Sequence, residues 1–502
     1  MKIKDRIIKY SISLVFILLP LIDIIRVTDL KDIEIFNLSL IEFVNIFLIS
    51  IGFITTVIKN KFKFKKHVIV YVALLDIYLV LHCLHIYHFN TSIYEKANPN
   101  FFVELYYIFR VYILPLMLII TLWKNKDIFN KQYYLGIVKY LVCFISGLIV
   151  VLNIFRFSYS SYPEGVADYF VNNTNFFDVF TYNDNFRHLF TMGLFPSANQ
   201  ISIILVMLLP INIYNLYASK KVRDLLLVVL QVSSMIIVGT KVASIGSILI
   251  VFGTLILYLL FVLFFKEKLN KKYLIMYLLI VTFSVSMFYI SPFRHMLSSD
   301  VSFSSGQSNQ GEEQADDELL IYKKLDDNLS DDEFEQLLND NNGTFKIASV
   351  FYELYPIKSD REFWLNMAKR DKKLNNDYRI LKADIIDRIE EKNNNKLDSI
   401  LGLGYTIDFM DIERDYVYQY YLFGIVGFLL LIGPYITLFI YNFVNVFNKY
   451  NFRYEYCLCL ISSFFGLILC YFSGHLFGWT SPMIILSLTL CVEKEGNKKY
   501  ES

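Results

Sequence analysis

The sequence predicts an all-α polytopic integral membrane protein: about twelve transmembrane helices, both termini inside, and one large helical extracytoplasmic loop between helices nine and ten. Three observations carry this. Of the 502 residues, 55% are hydrophobic, 45 are Phe and 37 are Tyr, and the mean hydropathy of +0.44 excludes an ordinary soluble globular domain. Runs of about 20 mostly apolar residues, the length that crosses a hydrocarbon core of roughly 30 Å, recur along the chain. The connections between them alternate between basic and basic-poor.

The runs lie at 7–26, 36–58, 67–88, 104–123, 134–155, 194–217, 224–239, 242–265, 273–291, 417–444, 456–473 and 475–491. Lipid offers no partner for free backbone groups, so each is expected to be helical. The first has no small-residue cleavage site and exceeds a signal-peptide core, so it reads as a retained helix. Lys2, Lys4, Arg6 and Lys9 mark the N-terminal end, and "KNKFKFKK", "KNKDIFNK", "SKKVR", "KEKLNKK", "NKYNFR" and the tail continue the basic series. Lys and Arg near span ends favour the cytoplasmic side, which places both termini inside. Residues 1–291 then hold helices one to nine with an outer loop at 156–193. Residues 292–416 form the large outer loop, mobile and acidic over 292–345 and helical over 346–416. Residues 417–502 hold helices ten to twelve and a short tail. Within the loop, apolar residues return at helical spacing, as in Ile380, Ile385, Ile386 and Ile389. None of the six cysteines falls in this loop, so it relies on no disulfide framework. The net charge of +1 averages a basic inner face and an acidic outer one.

Several ionisable residues fall inside spans, where each costs at least about 2.5–3.5 kcal/mol unless it pairs, faces a cavity or snorkels. Lys139 can snorkel inward. Asp76, with Arg110, calls for a buried pair or a polar cavity, and Glu42 stands a few residues into the second span. His82, His85 and His88 at i, i+3, i+6 drift across a helix face and read as part of an interfacial aromatic belt. Arg187, Lys241, Arg294 and Arg379 fall on the outer side, against the topological charge bias. An anionic ligand, lipid headgroups or the acidic loop would compensate them. Trp364, with Arg361, suits either the core of a small outer domain or a platform for a sugar ring. The acidic runs lack the glycine-centred spacing of a calcium loop, and no metal site is expected.

Three stretches resemble the O-antigen ligase and Wzy-type polymerase family of bacterial envelope glycosyltransferases. "GLFPSANQISIILVMLLP" is similar to the family's Pro-x-x-Asn helix start, with Asn199 as its Asn. "VGTKVASIGSIL" resembles its Ser-Arg-Gly-type turn, with Lys241 replacing the usual Arg. "ILGLGY…ERDYVYQYYLFGIVGFL" resembles the Gly-x-Gly turn, polar pair and Gly-[Ile/Val]-[Ile/Val]-Gly helix that close the outer loop. Asp415-Tyr416 stands where many ligases have His-Asn.

The resemblance implies a GT-C-like fold and a metal-independent transfer, without cofactor, of a glycan from undecaprenyl pyrophosphate to an acceptor hydroxyl at the outer face of the cytoplasmic membrane. The expected partners are undecaprenyl-pyrophosphate-linked glycans, the bilayer and other membrane proteins of polysaccharide assembly, with no nucleic acid. Arg294, Lys241 and Arg379 are the expected phosphate clamp and Arg187 a fourth member, because cations neutralise the departing pyrophosphate. Asp415, and after it Glu413, is the expected general base. Both acids equally suit stabilisation by the dipole of the following helix. A polymerase of lipid-linked repeat units leads. A ligase of finished glycan is its near alternative, and a twelve-span transporter or flippase the alternative of another class.

Overall fold

The computed structural model describes residues 3–27, 34–35, 38–61, 66–88, 99–162, 171–172, 174–181, 186–294, 320–325, 329–376, 378–405, 412–448, 452–472, 474 and 476–491. Asp411 and the Ser- and Gln-rich part of the acidic stretch lie outside the described residues.

The chain is almost entirely helical. Ten helices are long and apolar enough to cross a membrane among the described residues. The two other predicted spans, 224–239 and 475–491, are helices of 17 and 12 residues. At 1.5 Å per residue they reach about 26 Å and about 18 Å. The second, Thr480–Cys491, is buried along its whole length. It is apolar but shorter than the roughly 20 residues of a full crossing.

The chain divides into two compact units: Met1–Phe64, Phe109–Ser299 and Gly433–Ser502 form the first, and Lys65–Ile108 and Asp300–Ile432 the second. The first unit contains α1 (Ile3–Val27), the two-residue antiparallel pair β1 (Glu34–Ile35) and β2 (Leu38–Ser39), and α2 (Leu40–Asn60). A π-helical turn (Phe109–Ile113) leads into α5 (Leu114–Lys124), and α6 (Lys131–Ile154) follows. A second short pair joins β3 (Ser158–Tyr159) to β4 (Val171–Asn172). Then come α7 (Ala198–Ser219), α8 (Val222–Val238), α9 (Lys241–Phe264) and α10 (Lys271–Ile290), and near the C-terminus α19 (Gly433–Asn448), α20 (Tyr454–Phe472) and α21 (Thr480–Cys491). Ser197, Thr240 and Asn270 each cap the following helix by accepting a backbone N–H three residues on, the usual chemistry at a helix start. At the centre is α7, buried from Gln200 to Leu216 and packed on α6, α8, α9 and α20.

The in-span charges of this unit are paired. Lys139 lies 2.6 Å from the buried Asp224 of α8, so the lysine is held by a partner as well as by its reach toward the surface. Arg110 lies 3.1 Å from Glu42. Arg110 thus takes Glu42 as its carboxylate, while Asp76 is exposed on its own helix.

The second unit contains α3 (Lys66–Tyr87), α4 (Phe101–Ile108), and the chain from α11 (Asp331–Asp340) through α12 (Asn342–Phe345), α13 (Ser349–Leu354), α14 (Arg361–Lys369), α15 (Lys372–Asn376), α16 (Tyr378–Asn393) and α17 (Leu397–Leu401) to α18 (Asp415–Leu431). Helix α11 opens with a capping box of Ser330 and Glu333 and lies inside the stretch that the sequence assigns to the mobile third. Trp364 is fully buried, donates from Nε1 to the Tyr355 carbonyl at 3.0 Å and packs against Tyr352 and Phe363. It is core, and Arg361 is paired with Asp331 at 3.1 Å, so neither forms an open sugar platform.

Candidate functional site

In the first unit, one end of the helix bundle gathers candidates from four separate stretches. Phe190 and Phe293 are both fully buried and form one cluster, with Tyr162 and Phe288 packed against it. Phe293 precedes Arg294, whose guanidinium lies 4.1 Å from the Tyr289 ring centre, a cation–π distance. The Arg187 guanidinium lies 5.9 Å from the Tyr162 ring. The Tyr162 hydroxyl in turn donates to the Gly239 carbonyl at 3.2 Å, two residues before Lys241. Thr240, the cap of α9, and Ser202, one turn into α7, share a hydrogen bond of 2.6 Å between their hydroxyls. This bond joins the first turn of α9, where Lys241 is exposed, to the first turn of α7, where Asn199 is half-buried. Arg187 is thus tied to the cluster through Tyr162 and Arg294 through its neighbour Phe293, while Lys241 and Asn199 stand at the joined starts of α9 and α7.

Local sequence explains the approach. Gly239 ends α8 at φ +71°, the left-handed conformation that favours glycine at a helix C-terminus. A Cβ there would lie 1.8 Å from Cδ1 of Phe190, so only glycine lets this turn close over the ring. The segment before α7 is fastened by Thr191 N–H to the Ile237 carbonyl at 3.1 Å and Asn153 Nδ2 to Thr191 Oγ1 at 2.8 Å. Two long helices start side by side here. The partial positive charge of each N-terminus adds to the three basic side chains.

In the second unit, the glycines of "LGLGY" and "FGIVG" solve a backbone problem. Gly424 has φ +61° and ψ −179°, which breaks α18, and the carbonyls just before the break lose their helical donors. Leu403 N–H donates to the Tyr421 carbonyl and Gly404 N–H to the Leu422 carbonyl, both at 2.9 Å. The Tyr78 hydroxyl donates to the Phe423 carbonyl at 2.9 Å. Gly402 and Gly404 have φ near +90°, and a Cβ on Gly402 would lie 2.2 Å from the Leu422 carbonyl oxygen. The turn and the broken helix thus share one hydrogen-bonded seam.

Two histidines complete that seam. His82 Nδ1 lies 2.7 Å from the Leu401 carbonyl, and Nε2 lies 3.1 Å from Glu104 Oε1. The carbonyl can only accept, so Nδ1 donates to it. Glu104 Oε1 also accepts from Tyr405 N–H at 3.0 Å. His85 Nε2 lies 2.8 Å from Asp398 Oδ1, and Asn393 Nδ2 donates to Asp398 Oδ2 at 2.8 Å. His82 and His85 are buried, which corrects their reading as interfacial belt residues. The apolar span hid these roles. The signal that could have revealed them is the lone Glu104 in the adjacent span, whose burial demands a partner.

Arg379 and Glu413 form an ion pair: Arg379 Nε donates to Glu413 Oε2 at 3.1 Å and Nη2 to the same oxygen. Arg414 is extended, at φ −126° and ψ 91°, and α18 begins at Asp415. Glu413 thus stands before the helix and Asp415 at its first position. Glu413 is half-exposed, whereas Asp415 is buried at 3% exposure. Next to them, α16 carries Asp387, which accepts from the Tyr421 hydroxyl at 2.6 Å, and Glu390. Burial, reinforced by the charges of Asp398 and Asp387, pushes the Glu390 carboxyl up to about 7.

Arg187, Asn199, Lys241 and Arg294 belong to the first unit and Arg379, Glu413 and Asp415 to the second. Among the described residues, no three His, Cys, Asp or Glu side chains gather as a metal site. Neither the curated proteins nor the solved structures contain a match to the chain. The family model described as "O-antigen ligase like membrane protein" matches residues 8–492, so nearly the whole sequence, both units included, belongs to the O-antigen ligase like family of membrane proteins.

Proposed function

We propose that this membrane enzyme of glycan assembly polymerises undecaprenyl-pyrophosphate-linked repeat units of a cell-surface polysaccharide at the outer face of the cytoplasmic membrane. The observation that carries the proposal is that Arg187, over the Tyr162 ring, and Arg294, next to Phe293, are tied to one aromatic cluster, with Lys241 opening α9 two residues after the Gly239 carbonyl that Tyr162 bonds. The leaving group of such a transfer is a pyrophosphate, already activated, so catalysis consists of positioning it and neutralising its growing charge. Guanidinium forks and helix N-termini supply this without a proton transfer. The alternation of basic connections puts this end of the bundle outward.

Asp415 takes the acceptor's hydroxyl proton as the new glycosidic bond forms and the bond to pyrophosphate breaks. Glu413 is held by Arg379, so its role is to fix the extended approach to α18, and Arg379 serves that approach in the same pair. A pyrophosphate clamp of Arg187, Lys241 and Arg294, with Asn199 at the start of α7, then remains in the first unit. The test is extension of purified lipid-linked repeat units by the reconstituted full chain. Polymer ladders that disappear with Asp415→Asn support the reading. Transfer to a non-polyprenyl acceptor alone identifies a ligase, and lipid translocation alone a transporter; either outcome overturns it.

A further inference from the structure

We propose that the first unit carries a second polar site, which takes the hydroxyl groups of a neutral carbohydrate and is built from Glu42, Asn45, Arg110, Thr480 and Ser481. Its centre is the buried pair of Arg110 and Glu42, with Nη1 and Oε1 3.1 Å apart. The Thr480 hydroxyl donates to the same Glu42 oxygen at 3.2 Å. Asn45 follows Glu42 by three residues and so lies on the same face of α2, one turn deeper. It is 1% exposed, and neither its amide nitrogen nor its amide oxygen has a hydrogen-bond partner among the described residues. Ser481, beside Thr480, is equally buried, and its hydroxyl has no partner there. Buried polar atoms without partners are costly, and three of them stand next to an ion pair that already anchors the place.

The backbone supports the same reading. Arg110 lies in the π-helical turn Phe109–Ile113, a distortion that is itself destabilising and often marks functional sites. Helix α21 packs against this turn and against α5, on which α2 also packs. The three parts are thus held together by packing, not only by the ion pair.

The donor set selects the ligand class. Glu42 balances the charge of Arg110, so the site offers no net attraction to phosphate. It offers an amide, two hydroxyls, a carboxylate and a guanidinium, a mixture of donors and acceptors that matches neighbouring hydroxyls, each able to donate and accept. This inference rests on the outward orientation given under the proposed function. With that orientation, α2, Arg110 and α21 each follow a basic-poor connection, which brings the sugar end of a lipid-linked chain to this place.

The test is direct binding without turnover. The full chain in lipid nanodiscs is examined by saturation-transfer NMR with methyl β-glucoside, methyl β-galactoside, methyl α-mannoside and N-acetylglucosamine, and with no lipid-linked donor. At least one sugar should give a signal that Asn45→Leu and Ser481→Ala each weaken about tenfold, the effect expected from losing one or two hydrogen bonds. Lys241→Ala should leave that sugar signal unchanged. Absence of any sugar signal overturns the proposal. So does a signal that persists in Asn45→Leu while that variant unfolds at or above the wild-type temperature, which identifies a place for buried water. Ser481→Ala removes a single oxygen and carries the test where Asn45→Leu fails to fold. The polymerase reading fails by a different result, the absence of chain extension, so the two failures are separable.

Discussion

Gly239→Ala probes the link between the fold and the cationic cluster. The residue sits at φ +71°, and an L-residue with a side chain pays roughly 1–2 kcal/mol for that conformation. Its new Cβ would meet Phe190 Cδ1 at 1.8 Å and two further ring atoms at 2.3 Å, where an ordinary carbon contact needs about 3.5–4.0 Å. The ring must therefore move by roughly 2 Å. Phe190 is fully buried against Phe293, and forcing such a ring aside costs roughly 1–3 kcal/mol. The expected total is about 2–5 kcal/mol, a large part of the stability of an ordinary domain. The displacement also disturbs Phe293, which precedes Arg294, and Tyr162, beneath Arg187. Thermal unfolding in detergent should show the loss of stability, and chain extension per folded molecule should fall as well. Gly239→Ala combined with Phe190→Ala should be less unstable than the sum of the single variants by roughly 1–3 kcal/mol, because the clash is gone. Strict additivity, or wild-type stability and activity in Gly239→Ala alone, refutes the reasoning.

Asp415→Asn should lower chain extension by roughly 10²–10⁴-fold, the range for loss of a general base, while Glu413→Gln retains measurable activity; equal losses in both contradict the division of roles. His82→Ala takes one partner from the buried Glu104, which keeps the Tyr405 N–H, and should destabilise the second unit by about 3–5 kcal/mol, with partial recovery in His82→Ala/Glu104→Ala. Unfolding temperature measures both variants. Glu390 has its folded value raised to about 7 from 4.5, so the folded state holds a proton there that the unfolded state has already released. Stability at this residue therefore falls as pH rises from about 4.5 to about 7. Glu390→Gln should remove that slope and protect α16 at pH 8 by about 1–2 kcal/mol, reduced from the full linkage value because the side chain is partly exposed. Hydrogen exchange along α16 at pH 5 and pH 8 is the measurement.

Hydropathy made the long helices legible because lipid demands both length and apolarity. For α21 it leaves the matter open, because the described helix has only 12 residues and is apolar and buried along its whole length. Gly402 and Gly404 were legible as turn residues and take positive φ, whereas Gly424, read as part of a helix, also takes positive φ and breaks α18. Their common purpose, supplying donors to carbonyls freed by the break in α18, depends on a partner more than ten residues away. Long-range pairing hid other partners too. Arg110 takes Glu42, 68 residues earlier, and Arg379 takes Glu413, 34 residues later, whereas sequence could show only that each charge needed compensation. The gathering of Arg187, Asn199, Lys241 and Arg294 required the ring contacts of Phe190, Phe293 and Tyr162, about which spacing along the chain says nothing.

The central claim is that the cluster around Phe190 and Phe293 receives a pyrophosphate. Binding of undecaprenyl pyrophosphate and of undecaprenol to the detergent-solubilised full chain, compared by native mass spectrometry, tests it most directly. The account predicts that the pyrophosphate lipid binds more tightly than the alcohol. It also predicts that Lys241→Ala/Arg294→Ala removes about a hundredfold of that affinity, as expected for two lost charge-assisted hydrogen bonds, while binding of the alcohol is unchanged. Equal affinity for the two lipids in the wild type, or an unaltered preference in the double variant, would contradict it.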